Sequence, residues 1–348
     1  MRPLKPVEPV FCADINASLK PLVANRKSIL LCDEHTLEHC VPLLHDSFDH
    51  TLVVKAGEEE KSLAVAENIW KHFIAWNIGR SDVLVCLGGG VLCDLGAFSA
   101  SVYQRGMPFI LIPTTLLAMT DAAIGGKTGI NLLNKKNYIG SFAEAEAVFI
   151  HTPFLKTLPR QALTEGWAEM LKHALIADSV LYHDISGLAH LNSIPEFSLL
   201  QRSINVKVKI VQADPIEQNL RKLLNFGHTL GHALESWYLE RNHSVAHGTA
   251  VAAGIWLEAL MARQQEVLSQ ADFEQISALI DRHFEPLMFS KDGVHEIAGL
   301  CRFDKKNQHR DSVNFVLLQS AGKAVVDGQA TTEEILFALS TYLECHRI

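Results

Sequence analysis

The chain has 348 residues, of which 48% are apolar and 20% charged, and its formal net charge is -8. This composition is that of a globular protein long enough for two domains of ordinary size. The negative charge argues against a general nucleic-acid binder, because contacts to phosphates need clustered lysines and arginines. An anionic ligand must therefore be held by local cations.

The sequence also argues against a membrane or exported protein. The apolar run DVLVCLGGGVLCDLGAF is interrupted by Asp and Gly, so it falls short of the ~18 to 20 apolar residues that a membrane span needs. The N-terminal stretch MRPLKPVEPVFCAD has no apolar signal-peptide core. Seven cysteines occur without a CxxC pair, which is typical of reduced thiols in the cytoplasm. We therefore expect a cytoplasmic protein.

The first part of the chain alternates strand and helix patterns. An amphipathic run at 62–77 predicts a helix, and short apolar runs predict strands at 28–33, 51–57, 82–90, 108–115 and 145–151. Such alternation predicts helices covering a mostly parallel sheet. From residue 156 onward the periodicity is helical, apart from a hairpin predicted at 313–328. We expect an α/β domain at 1–155, a mainly helical domain at 156–348, and a ligand site in the cleft between them.

Two glycine-rich segments are candidates for anion binding. CLGGGVLCD at 86–94 is a strand that runs into three glycines and a helix start, where backbone N–H groups can approach a pyrophosphate. It is not a G-x-G-x-x-G motif, so an ordinary strand-to-helix turn is the alternative. The segment at 120–137 contains Gly-Lys-Thr but has Asp121 where a P-loop needs glycine. We interpret it as a functional loop, with a surface turn as the alternative.

Four histidines within twenty residues suggest a metal site. His228 and His232 are four apart on a predicted helix, and His243 and His247 follow. Catalytic zinc typically takes three His or carboxylate ligands, and Glu169 is a candidate carboxylate. The alternatives are ordinary core or surface histidines, and a surface ion pair between Glu169 and Lys172. With the glycine turn, the pattern suggests a nicotinamide cofactor beside a metal that polarises a hydroxyl for oxidation.

Six segments taken together resemble the 3-dehydroquinate synthase family in order and spacing. They are GGGVLCDLGAFSASVYQRG, IPTTLLAMTDAAIGGKTGIN, KNYIGSF, EGWAEMLKHALI, RKLLNFGHTLGHALE and AHGTAVAAGI. The resemblance extends from about Gly57 to FDKKN at 303–307. It implies a Rossmann-like dinucleotide-binding α/β domain followed by a mainly α-helical metal- and substrate-binding domain.

The resemblance also implies roles for individual residues. A divalent metal, zinc or else cobalt, would be bound by Glu169, His228 and His247. NAD would be bound by Asp33, Gly57, Glu58, Lys61, Gly89, Gly90, Val91, Asp94, Thr114, Thr115, Lys127, Lys136, Phe154 and Thr157. The catalytic and substrate-binding positions would be Asp121, Lys127, Asn137, Lys172, Lys207, Arg221, Asn225, His232 and Lys305, joined by Arg105 from across a homodimer interface.

The activity that the resemblance implies belongs to the shikimate pathway of aromatic amino acid biosynthesis. The substrate would be 3-deoxy-D-arabino-heptulosonate 7-phosphate and the products 3-dehydroquinate and phosphate. The route would be transient oxidation by NAD, phosphate elimination, reduction and an intramolecular aldol closure. The alternatives are another sugar-phosphate cyclase, of the valiolone or deoxy-inosose type, a metal-dependent polyol dehydrogenase, and a non-enzymatic binding module.

Overall fold

The computed structural model describes residues 6–45, 47–133, 135–301 and 312–346. The chain divides into two compact units, residues 1–162 and 163–348. Within the described residues, every helix is too short or too polar to cross a membrane.

Unit 1 is built on a six-stranded sheet in which all neighbouring strands are parallel. The strands are β1 (Val10–Phe11), β2 (Ser28–Asp33), β3 (His50–Val54), β4 (Val83–Gly88), β5 (Phe109–Pro113) and, later in the chain, β8 (Ala147–Ile150). The central strands β4 and β5 are buried along their whole length, because helices cover both faces of such a sheet. The five predicted strands and the predicted α/β architecture with a parallel sheet are confirmed.

The order of the strands fixes where a ligand can bind in unit 1. The sheet runs β1-β8-β5-β4-β2-β3, so the chain leaves β2 toward one edge for β3 and then crosses to the other side for β4. Ligands of doubly wound sheets bind at the carboxyl ends of the strands where the order reverses. That point lies between Asp33, which ends β2, and Gly88, which ends β4.

The helices of unit 1 connect these strands. They are α1 (Ile15–Val23), α2 (Glu34–His39), α3 (Leu63–Ala75) and α4 (Gly90–Val102). The helix predicted at 62–77 is therefore confirmed as α3. Ser62 caps its N-terminus, because the Ser62 hydroxyl accepts a hydrogen bond from Val65 N.

The segment at 120–137 is not the irregular loop that the sequence suggested. A π-helical turn covers Ala118–Ala122, and an antiparallel hairpin follows, formed by β6 (Lys127–Leu132) and β7 (Lys135–Phe142). The prediction was wrong because Gly and Lys residues interrupt the apolar alternation on which a strand prediction depends. Asp121 lies inside the π-helical turn, a backbone irregularity often found at functional sites.

Unit 2 is mainly helical, as predicted. Its helices are α5 (Arg160–Ala177), which starts just before the unit boundary, α6 (Ser179–Ser186), α7 (Phe197–Ala213), α8 (His228–Leu239), α9 (His247–Gln264), α10 (Gln270–His283), α11 (Lys291–Cys301) and α12 (Thr332–Cys345). The predicted hairpin is confirmed as β9 (Ser312–Ser320) paired antiparallel with β10 (Lys323–Thr331).

Helices α8 and α9 approach each other through small residues. A Cβ added at Gly254 would lie 1.9 Å from the carbonyl oxygen of Gly227, and one at Gly231 would lie 2.9 Å from that of Ala250. Only glycine permits backbones to come this close. The small-residue run 248–254 therefore allows the two helices to pack closely, and it brings the ends of α8 and α9 that carry histidines together.

Candidate metal centre and cofactor site

Three side chains from three helices of unit 2 converge on one point. Glu169 comes from α5, His228 is the first residue of α8, and His247 is the first residue of α9. Their nearest ligand atoms all lie within 4.8 Å of one another. His228 Nε2 is 3.4 Å and His247 Nε2 is 3.6 Å from Glu169 Oε1. This is the residue set for which a metal was predicted.

The hydrogen bonds behind the two imidazoles determine what they can bind. His228 Nδ1 donates to the Phe226 carbonyl over 3.1 Å, and His247 Nδ1 donates to Glu235 Oε1 over 3.3 Å. A neutral imidazole with its proton on Nδ1 presents a lone pair at Nε2. When both imidazoles are neutral, their Nε2 atoms and a carboxylate oxygen therefore face one another as acceptors. Such a donor set fits a divalent cation of the zinc or cobalt type.

The charge state of these groups has identifiable causes. Burial alone would raise the pKa of the Glu169 carboxyl, but Lys172, His228 and His247 hold it well below its ordinary value. Burial lowers the pKa of His228. Burial also favours neutral His247, yet hydrogen bonds to Glu169 and Glu235 outweigh it and raise that pKa to about 10. His247 would lose this proton on binding a cation, because histidine binds metals in its neutral form.

Lys172 forms an ion pair with Glu169. Their side chains are 1% and 0% exposed, so the surface ion pair that the sequence left open as an alternative is wrong. A buried pair is costly to desolvate and is often kept for a purpose other than stability. Here it keeps the Glu169 carboxylate ionised and leaves an ammonium group beside the candidate metal centre.

His232 is one turn beyond His228 on α8 but is exposed. Its ring lies 5.3 Å from that of His228 and 6.0 Å from that of His247, measured between centroids. Among the described residues, one possible metal-binding group joins Glu169 with His228 and His247, whereas His232 groups with Glu235 and His247. The geometry thus separates His228, which groups with Glu169, from the more exposed His232.

Other predicted substrate residues of unit 2 are held in place by hydrogen bonds. Lys207 on α7 and Arg221 are buried, and Arg221 Nη1 donates to Pro215 O over 2.5 Å. Asn225 Nδ2 donates to Glu217 Oε1 over 2.8 Å. Asp214 accepts from the backbone N–H groups of Gln218, Asn219 and Arg221, so it fixes the turn before Arg221. Lys305 lies outside the described residues.

In unit 1 the three glycines form the turn from β4 into α4. Gly89 is the residue before the helix, and a Cβ there would lie 3.2 Å from Thr115 Cγ2, while a Cβ on Gly90 would lie 3.1 Å from Ala122 Cβ. The turn therefore has little room for side chains. Its position at the strand-order reversal, with the N-terminus of a thirteen-residue helix behind it, suits a pyrophosphate.

A buried lysine connects residues that the sequence assigned to cofactor and substrate. Lys61 Nζ is 2.5 Å from Asp94 Oδ2 on α4 and 2.5 Å from Asn137 Oδ1 on β7. The Lys61 and Asp94 side chains are 5% and 18% exposed. Asp94 and Lys127 also line one small pocket with Ala122 and Gly125. Unit 1 thus brings these four predicted residues, Lys61, Asp94, Lys127 and Asn137, to one place.

The remaining predicted residues of unit 1 are positioned as follows. Thr114 N donates a hydrogen bond to Gly88 O at the end of β4. Glu58 accepts one from Asn131 Nδ2, and the preceding Gly57 has a φ of 128°. Asp33 caps α2 through Thr36 N, over 2.7 Å. Phe154 is buried against His151 in the turn Thr152–Thr157. Val91 is half-buried on α4, whereas Lys136 and Arg105 are exposed, and Arg105 has a left-handed φ of 65°.

Two family models match the chain along most of its length. The one described as 3-dehydroquinate synthase N-terminal matches residues 51–165, and the one described as 3-dehydroquinate synthase C-terminal matches residues 166–307. The chain belongs to the 3-dehydroquinate synthase family. The resemblance seen in the sequence is therefore confirmed.

Curated relatives agree with this family. A 3-dehydroquinate synthase of Parabacteroides distasonis is 38% identical over 349 residues, covering 96% of this chain and 97% of its own. Another, from Campylobacter concisus, is 35% identical and covers 90% of this chain and 86% of its own. A solved structure of 2-epi-5-epi-valiolone synthase from Streptomyces hygroscopicus, with NAD+ and Zn2+ bound, has a TM-score of 0.86 at 27% identity. It covers 99% of this chain and 98% of its own.

Sequence reasoning missed several acidic residues of this 3-dehydroquinate synthase family member. Buried Glu258 on α9 accepts from Gly227 N over 2.7 Å and from Leu230 N over 3.3 Å, so it holds the turn that precedes His228. Glu217, with a φ of 60°, and Glu235 were also missed. One signal was available for Glu235, because it follows His228 by seven residues and therefore lies on the same helical face.

Proposed function

We propose that the chain is a 3-dehydroquinate synthase, which converts 3-deoxy-D-arabino-heptulosonate 7-phosphate to 3-dehydroquinate and phosphate. The observation that carries this proposal is the convergence of Glu169 and the Nε2 atoms of His228 and His247 in unit 2 of a chain of this family. A metal-binding set of one carboxylate and two imidazoles leaves a coordination position open for a substrate hydroxyl.

We propose further that NAD and zinc are the cofactors, with cobalt suited to the same ligands. The NAD-binding domain would be residues 1–155 and the metal- and substrate-binding domain 156–348. When bound, NAD accepts and returns a hydride while the metal polarises the reacting hydroxyl. The valiolone synthase of similar fold, with NAD+ and Zn2+ bound, supports this choice. The glycine turn at Gly89 and Gly90 supports a pyrophosphate site in unit 1.

The chain's own polar groups would bind the two anionic ends of the substrate. Lys172, Lys207 and Arg221 supply buried positive charge in unit 2, and Asn225 and His232 supply hydrogen bonds. Cations stabilise the charge that builds up on a departing phosphate. Local groups of this kind explain how a chain with a net charge of -8 can bind a dianion.

The proposed assembly is a cytoplasmic homodimer in which Arg105 reaches the phosphate bound by the second copy. The β6–β7 hairpin supports an interface, because it exposes Leu132, Leu133, Tyr138, Ile139 and Phe142. Exposed apolar patches commonly mark contacts between proteins. Leu133→Asp is expected to shift the protein from dimer to monomer in analytical ultracentrifugation, whereas Ile74→Asp, at another exposed apolar position, leaves the dimer intact. An unchanged dimer in the first variant would rule out this interface.

The experiment that tests the activity is phosphate release from the heptulosonate phosphate with catalytic NAD. We expect many equivalents of phosphate per NAD, because the cycle returns the cofactor to its oxidised form. A chelator should abolish release and zinc should restore it. The matched control is His247→Ala, which should remain inactive with added zinc.

Three other outcomes would contradict the proposal. Stoichiometric NADH without phosphate would indicate a polyol dehydrogenase, and a different carbocycle in product analysis would indicate a sister cyclase. Bound NAD and zinc without turnover of any heptulose phosphate would indicate a binding module.

A further inference from the structure

The metal centre includes a carboxylate that is not among the three proposed ligands. Glu235 is buried on α8, two turns after His228 and on the same helical face. Its Oε1 atom accepts the Nδ1 proton of His247 over 3.3 Å. One helix therefore carries both a ligand, His228, and the acceptor that faces a ligand of the neighbouring helix α9.

The two histidines are oriented by partners of different kinds. The partner of His228 Nδ1 is the backbone carbonyl of Phe226, which is neutral and lies only two residues away. The partner of His247 Nδ1 is an ionisable side chain twelve residues away in sequence. His247 is also the first residue of α9 and follows the exposed stretch 241–244. Its ring is therefore oriented by the Glu235 side chain, whereas the ring of His228 is oriented by backbone.

The charges around the centre give Glu235 a second effect. Lys172 pairs with Glu169 and so offsets the negative charge of the carboxylate ligand. With two neutral imidazoles, this ligand set and its lysine sum to zero. Glu235 adds a negative charge behind His247, which favours a dication and makes the imidazole a stronger ligand.

We propose that Glu235 is a positioning residue for the metal centre: it holds His247 with Nε2 directed at the cation and restores the negative charge that Lys172 offsets. This inference rests on the proposed function for the presence of a resident metal. It assigns Glu235 no contact with the metal. The structure also contains the competing arrangement, because the ligand atoms of His232, Glu235 and His247 form a second possible metal-binding group.

Zinc affinity of the chelator-stripped protein tests the proposal without any substrate. Zinc is titrated back against a chromophoric chelator for the unmodified protein, Glu235→Gln and Glu240→Gln, the last an exposed glutamate at the end of α8. We expect one equivalent in all three, an affinity about 10- to 100-fold lower in Glu235→Gln, and no change in Glu240→Gln. The visible spectrum of the cobalt-substituted Glu235→Gln protein should also shift.

A second variant separates charge from geometry and guards against misfolding of the first. Glu235→Asp keeps the charge, so its zinc affinity should lie between those of the unmodified protein and Glu235→Gln. Circular dichroism of the metal-free proteins shows whether each is folded.

The outcomes that overturn the inference are distinct from those that overturn the activity. Equal zinc affinity in Glu235→Gln would show that Glu235 does not position His247. A second zinc equivalent that this variant loses would show that Glu235 is itself a ligand. Tight zinc binding that depends on Glu235, in a protein that releases no phosphate, would leave the inference standing and reject the proposed activity.

Discussion

The Lys61 ammonium group lies 2.5 Å from the Asp94 carboxylate on the first turns of α4. The same nitrogen lies 2.5 Å from Asn137 Oδ1. Lys61 directly follows the 3-10 turn Glu58–Glu60. It thus connects helix α4, behind the glycine turn, to the β6–β7 hairpin. Within unit 1, the groups proposed for the cofactor and those proposed for the substrate share a buried charge.

Lys61→Met should therefore affect both stability and cofactor binding. The change removes a largely buried charged partner of Asp94, and we expect a loss of roughly 2 kcal/mol in the free energy of unfolding together with weaker NAD binding. The control is Lys71→Met, whose ion pair with Glu67 is 68% and 58% exposed and should contribute less than about 0.5 kcal/mol. Urea unfolding and NAD titration measure the two effects; equal losses in both variants would contradict the coupling.

The split between the neighbouring histidines of α8 is testable by metal analysis. Glu169→Ala and His247→Ala each remove a proposed ligand, so both purified proteins should lack zinc and turnover. His232→Ala should keep near-normal zinc content but lose most of its turnover, because this side chain is exposed beside the centre. Loss of zinc from His232→Ala equal to that from the other two variants would overturn the assignment.

Because α8 and α9 are in close contact, the effect of a Gly→Ala change on stability should depend strongly on its position. In Gly254→Ala the new Cβ would lie 1.9 Å from Gly227 O, so the helices must separate at a cost of about 3 kcal/mol or more. Gly299→Ala places a Cβ with nothing within 4 Å and should stabilise α11 by roughly 0.5 to 1 kcal/mol. If the backbones approach as described, thermal unfolding should show a lower Tm for Gly254→Ala and a higher Tm for Gly299→Ala.

A pH effect is expected at the end of α12. His346 Nε2 is 3.0 Å from Asp281 Oδ1, and this hydrogen bond raises the pKa of His346 above its ordinary value. Because the folded pKa is the higher one, the pair's contribution is fully present below the unfolded pKa, about 6.5. It is lost as the pH rises through the folded pKa.

The corresponding variant is His346→Gln. Since Asp281 is 44% exposed, the loss in unfolding free energy should be at most about 1 kcal/mol at pH 5.5 and smaller at pH 9. Urea unfolding at the two pH values measures it, with His183→Gln, an exposed histidine of α6, as the control. A loss that grows with pH would contradict this pairing.

Continuous apolar runs and helical apolar spacing were predictable from the sequence. The buried strands β4 and β5 and the helix α3 appear where their apolar spacing placed them. The hairpin β6–β7 was not predictable, because its strand β7 is almost wholly exposed and so lacks the alternation that burial imposes.

The candidate site was predictable where residue type alone restricts the chemistry. Glu169, His228 and His247 could be named from the family motifs, and the structure places them together. The supporting acids were harder to name: Glu217 lies between helices, and Glu235 and Glu258 lie in helices, where a glutamate is ordinarily a solvated residue. The available signal was the spacing of Glu235 from His228. Only the packing of α8 against α9 shows that two of them are buried beside the histidines.

Two buried thiols on either side of the glycine turn can report local unfolding of unit 1. Cys86 on β4 and Cys93 on α4 are buried, and burial raises their pKa far above the ordinary value for a thiol. Both should be silent toward alkylating reagents while unit 1 is folded, because only an exposed thiolate reacts. Exposed Cys345, at the far end of the chain, should react while the protein is folded. The rate at which Cys86 and Cys93 are labelled therefore measures how often the proposed nucleotide pocket opens. A bound nucleotide should slow that labelling.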